Sequence, residues 1–229
     1  MVVQQPGKQK AMRPRIYYSS HHLWAANRWV EEATRIEREW DGLSRFNIEH
    51  RALVTNAIFS SVAFLEAAIN ELFQDAYEEH LAYIAPLSPV VRESIGDFWR
   101  IIAEHNVRAR SRFGTTEKYE IALALTQNEP LDHDDSVYRD VRLVIRIQNA
   151  LVHYKPSTLM QIDKSGFDES LHGKFSLNPM MVGTENPFFP DKALGAGCAR
   201  WGIDSCRRFA DQFFDKLGVK PNYRGATFE

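Results

Sequence analysis

Apolar residues recur along the chain at intervals of three and four, the spacing that gathers them on one side of an α-helix, and runs of strict alternation are sparse. The pattern predicts helices over residues 18–40, 48–83, 89–110, 116–126, 136–153 and 192–217, separated by Pro, Gly and Asp clusters. The second is apolar around most of its circumference, which marks a central helix. Pro156 forbids continuation of the fifth, and Gly218 with Pro221 ends the last. Residues 155–190 are rich in Gly, Pro, Asn and Ser without periodicity, and so long a connection is expected to be functional or an insertion. The expected fold is all-α: an antiparallel helical bundle of about five to six helices, with one long loop before the C-terminal helix. Residues 1–15 read as a flexible tail, and 16–229 as a single domain.

Composition narrows the function classes. The 229 residues are 44% hydrophobic, enough for one sizeable core. Charges of mixed sign sum to −2, so there is no global cationic field, and any nucleic-acid contact must be local. Cys198 and Cys206, eight apart in a helical pattern, suit neither a disulfide framework nor a zinc-ligand spacing. No window is expected to span a membrane, since the richest apolar stretch, 52–73, is interrupted by Asn56, Ser60, Glu66 and Asn70. A soluble, cytoplasmic protein without cofactor or metal is therefore expected.

The chemically suggestive segment is the end of the fifth helix. At about 100° per residue, Val141, Val144, Ile145, Gln148, Leu151 and Val152 fall on one side of it, while Arg142, Arg146, Asn149 and His153 share the other. Arg146 and His153 project from one face about 10 Å apart along the axis. A second copy of the helix, packed antiparallel, would bring each Arg toward the other chain's His and complete a site across a two-fold axis.

The string from Arg146 to Pro156, Arg-Ile-Gln-Asn-Ala-Leu-Val-His-Tyr-Lys-Pro, resembles the motif helix of the HEPN domains (higher eukaryotes and prokaryotes nucleotide-binding), in which Arg and a short spacer precede His near a helix end. The apolar run Phe64-Leu-Glu-Ala-Ala-Ile-Asn-Glu-Leu72 is similar to the helix before that motif, and the resemblance extends from about Ile48 through the final helix. It implies a helical domain that often dimerises and, in active members, cleaves RNA without metal. His153 would then move a proton at the 2′-hydroxyl or the leaving oxygen, Arg146 would stabilise charge on the phosphate, and Asn149 would orient the ring or the substrate. Many members carry Arg directly before the polar residue, where this chain has Gln148; if Gln148 is the equivalent position, the domain is an inactive interaction or RNA-binding module instead. The expected partners are RNA, a second copy of the chain and a protein regulator.

The polar stripe Asn56, Ser60, Glu66 and Asn70 on the second helix requires buried partners, and Glu66 is expected either to accept from Arg146 or Arg142, with Asn70 supporting it, or to fix helix register. Other groups read as structural. His21 and His22 diverge by about 100° and chelate poorly. The run Asp132-His133-Asp134-Asp135 suits helix capping, and Gly195-Ala-Gly197 lacks the third glycine and preceding strand of a dinucleotide loop. The basic run Arg108-Ala-Arg-Ser-Arg112 suits a helix end more than a nucleic-acid contact, and the five tryptophans read as core or interface.

Overall fold

The computed structural model describes residues 15–43, 46–105, 113–155 and 166–225. Within them the chain is helical, without a strand: α1 (Tyr18–Arg38), α2 (Ile48–Tyr77), α3 (Pro89–His105), α4 (Thr115–Leu125), α5 (Ser136–Val152), α6 (Phe167–Leu171) and α7 (Ala196–Leu217), with short turns at Ala82–Ile84, Phe188–Lys192 and Asn222–Gly225. The second helix is shorter than its pattern suggested, because the apolar residues beyond Tyr77 belong to a separate 3₁₀ turn. Residues 1–14 of the predicted tail, the basic run 108–112 and residues 156–165 lie outside the described residues.

Helix α2 is central, burying residues on almost every side, from Val54 and Ile58 to Phe64, Leu65, Ile69, Leu72 and Phe73. It packs against α1, α3, α5 and α7. By length and composition alone it could cross a membrane, with a mean hydropathy of 1.7 over eighteen residues, contrary to the expectation from its polar interruptions; half of that window is buried by its neighbours here. Its start follows from local chemistry: the Asn47 side chain accepts the His50 N–H (3.0 Å).

Helix α1 folds back antiparallel on α2 and borrows its N-terminal cap from it. Tyr17, at the capping position, has no side-chain bond to the helix, and Glu71 of α2 instead accepts from the Ser19 backbone N–H (2.8 Å) and hydroxyl (2.6 Å). One turn on, buried Asp75 accepts from the Tyr17 hydroxyl (3.0 Å) and pairs with Arg15 (2.7 Å). Arg15, the last residue of the expected tail, is thus anchored to the domain. Burial raises the carboxyl pKa of both Glu71 and Asp75, although the hydrogen bonds from Ser19 and Tyr17 oppose the shift.

At the other end of the hairpin, Glu37 ties three elements together. One of its oxygens lies 2.8 Å from the ring of buried His50 and accepts the Ala196 N–H (2.6 Å), so a carboxylate from α1 caps α7.

The stretch read as an irregular loop is partly built into the core after all. Leu171, Met180 and Met181 are buried, and buried Asn178 holds the segment onto the start of α7: its amide donates to Leu194 O (3.1 Å), its backbone N–H to Lys192 O (2.8 Å), and its Oδ1 accepts from Met180 N–H (3.1 Å). The two glycines at the start of α7 permit this approach. A methyl on Gly195 would sit 2.8 Å from Asn178 Cα, and one on Gly197 would sit 2.5 Å from Ser176 O. Residues 166–195, a strap laid against the start of α7, lack a regular period because their polar backbone is satisfied one bond at a time rather than by a ladder.

Candidate functional site

Helix α5 begins where the acidic run predicted, with the Asp135 side chain accepting the Val137 N–H (3.2 Å). It lies antiparallel beside α7, Tyr138 against Phe209 (ring centroids 6.3 Å) and Val144 over Gly202. Val141, Val144 and Ile147 are buried, Ile145, Gln148 and Leu151 half-buried. Val152, expected on the inner side, is 52% exposed, because the helix ends there and no described residue covers it.

Arg142, Arg146, Asn149 and His153 are all exposed on the opposite face. Each cation has an aromatic neighbour. The Arg146 guanidinium lies 4.8 Å from the Phe167 ring centroid at the start of α6, and Phe167 is braced edge-on by Phe189 (5.1 Å). The Arg142 guanidinium lies 6.0 Å from the Tyr138 ring and 3.5 Å from its hydroxyl. Tyr138 is itself stacked on His133 (4.4 Å) and donates to Glu120 (2.8 Å).

Among the described residues neither Arg142 nor Arg146 forms an ion pair, and each cation meets an aromatic ring instead. His153 terminates α5, its N–H donating to Asn149 O (3.0 Å) and its ring exposed at the negative end of the helix. Exposed Val152 and Tyr154 flank it.

The α2 residues assigned to support this face are elsewhere. Glu66 accepts from Lys118 and from the Thr115 hydroxyl of α4 (2.9 Å), and Asn70 accepts from Lys118 (3.0 Å) while its amide donates to Glu66 (3.3 Å). The expected bond from Glu66 to Arg146 or Arg142 is therefore replaced by one to Lys118, because α4 lies along this side of α2 while the α5 arginines face outward. The stripe is not uniformly buried either, since Asn56 is exposed.

Sequence reasoning missed Lys118, whose side chain is only 4% exposed. It also missed Phe167, which nothing in the spacing of its segment singles out. Of the five tryptophans, Trp99 and Trp201 are core residues, whereas Trp24 and Trp29 are substantially exposed.

Arg146, held over a braced ring, can bind an anion such as a phosphate, and the exposed imidazole of His153 can exchange a proton, but about 10 Å along the axis separates the two within one chain. Gln148 is turned toward the half-buried side and does not share that face. Among the described residues, no three His, Cys, Asp or Glu side chains gather into a metal-binding group. No protein-family model matches the chain, and neither a curated protein nor a solved structure shows significant similarity to it.

Proposed function

We propose that this all-helical chain is a HEPN-like, metal-independent endoribonuclease of the cytoplasm, an antiparallel bundle whose active site is made by Arg146 and His153 and completed by dimerisation. The observation that supports it is the shared exposed face of α5, on which Arg146 is seated over Phe167 without a carboxylate partner among the described residues and His153 closes the helix. In the reaction, the RNA 2′-oxygen forms a bond to the adjacent phosphorus and the bond to the leaving 5′-oxygen breaks. His153 takes the proton from the 2′-hydroxyl or delivers one to the leaving oxygen, and Arg146 stabilises the charge that builds on the phosphoryl oxygens. Asn149, one turn before His153, is placed to orient substrate or ring. The axial gap of about 10 Å between Arg146 and His153 is what calls for a second chain, whose antiparallel α5 would cover Val152 and Tyr154 and pair each Arg with the partner's His.

The test is incubation of purified protein with a mixed RNA pool in EDTA, alongside Arg146→Ala, His153→Ala and Gln148→Ala. Cleavage by the wild type and by Gln148→Ala, with loss of at least a hundredfold in the other two, is the expected outcome. Absence of cleavage by the wild type, or equal cleavage by His153→Ala, would leave α5 as the face of an interaction module. A Gln148→Ala loss equal to that of Arg146→Ala would move the cation-bearing position of the motif.

A further inference from the structure

A second group of cations lies beside α5. Where the strap crosses α7, a groove of about 700 Å³ is lined by Lys174, Phe175, Arg200, Asp204, Arg207 and Arg208. Their pairing is uneven. Lys174 reaches Asp140 of α5 (2.8 Å), and Arg207 has only a long contact to Asp211 (3.8 Å), which Arg224 already engages at 2.8 Å. Arg200 donates to a neutral oxygen, Asn27 Oδ1 (2.8 Å), and Arg208 to the backbone oxygen of Asp204 (3.3 Å).

Among the described residues, then, Arg200 and Arg208 have no carboxylate partner, like Arg142 and Arg146 on the helix alongside. In a chain whose net charge is −2, the groove's four cations, Lys174, Arg200, Arg207 and Arg208, outnumber the two carboxylates that line it, Asp204 and Asp211. Arg200 and Arg207 are seven residues apart, about 10 Å along one side of α7, and Arg208 widens the row. Guanidinium groups in a row along an open groove match successive phosphates of one strand better than a single small anion.

Resting on the RNA-cleaving reading of α5 for the choice of ligand, we infer that the α7 groove binds the phosphate backbone of single-stranded RNA. Arg200 and Arg208 carry the contacts, and Lys174, fastened to Asp140 on the inner side of α5, borders the groove. The groove residues bind and position the strand; they take no part in the bond changes.

Binding is measured by fluorescence anisotropy on a 2′-O-methyl oligoribonucleotide, which lacks the attacking hydroxyl, so that binding and cleavage are read separately. The variants are Arg200→Gln/Arg208→Gln and Arg200→Lys/Arg208→Lys, with folding followed by helical circular dichroism. The wild type should bind with a steep salt dependence. The Gln pair should weaken binding roughly tenfold at low salt and lower the log–log salt slope by about 1.4, two phosphate contacts at about 0.7 each on a single strand. The Lys pair should keep most of both. Unchanged affinity and slope in a folded Gln pair, or no binding by the wild type at low salt, would overturn the inference. Binding that depends on these arginines in a protein that cleaves nothing would keep the groove and sink the nuclease, and cleavage with arginine-independent binding would do the reverse.

Discussion

Gly197→Ala and Gly202→Ala, five residues apart on one helix, should change stability in opposite directions. At Gly197 the added methyl would lie 2.2 Å from Ser176 Oγ and 2.5 Å from Ser176 O. The hydroxyl can rotate away, but the carbonyl is backbone and must retreat by about 0.9 Å to reach the 3.4 Å at which ordinary contact begins. That movement strains the bonds of Asn178 two residues on, so the loss should be about 2–3 kcal/mol, from overpacking and weakened hydrogen bonds together. At Gly202 the methyl would meet Val144 at 3.6 Å, an ordinary contact, in the middle of a helix where Ala is favoured over Gly by about 0.5–1 kcal/mol. Thermal unfolding should therefore show Gly197→Ala lowered by about 5–10 °C and Gly202→Ala raised by about 1–3 °C. Gly197→Ala at or above wild-type stability would refute the seating of the strap on α7.

Other outcomes follow from the same contacts. Replacing Phe167 with Ala removes the ring beneath Arg146, which is worth about 0.5–1 kcal/mol at an exposed site, and should lower kcat/KM on RNA about threefold without unfolding the protein. Within the Glu66–Lys118 pair the buried partner is the cation, so Glu66→Leu, which strands the ammonium, should cost about 2–4 kcal/mol in urea unfolding, and Lys118→Met only about 1 kcal/mol; the reverse order would contradict the placement of Lys118. Because burial raises the Glu71 pKa, the folded state holds that proton more tightly than the unfolded chain, so its contribution is fully present below the unfolded value and is lost as pH rises through the folded one. Glu71→Gln, which imitates the protonated group, should accordingly look more favourable relative to wild type at pH 7 than at pH 4, as urea midpoints at both pH values would show.

The six longer helices and the exposed α5 face were legible in the sequence because both depend on local order, whereas the short α6 lies in the stretch read as a loop. Asn47 and Asp135 cap their helices through neighbours two or three residues away, and the 3.6-residue period places Arg142, Arg146, Asn149 and His153 together whatever else surrounds them. Partners distant in the chain were not. Glu37 caps a helix that starts at Ala196, Lys118 takes the place expected for an arginine, and Phe167 supplies the surface on which Arg146 lies. Each depends on how helices are laid against one another, and periodicity says which face is buried, not what buries it. The two glycines of α7 show the same limit, since their spacing suggested a failed dinucleotide loop, whereas their use is to admit the strap.

The composite site is tested most directly by mixing two inactive variants. Arg146→Ala and His153→Ala are prepared separately, combined under conditions that let subunits exchange, and assayed on RNA in EDTA. If each site takes its Arg from one chain and its His from the other, random pairing makes half of the dimers mixed, each with one intact site of two, and about a quarter of wild-type activity should return. Persistent inactivity of the mixture, with mixed dimers demonstrably present, would contradict a site shared between two copies of α5.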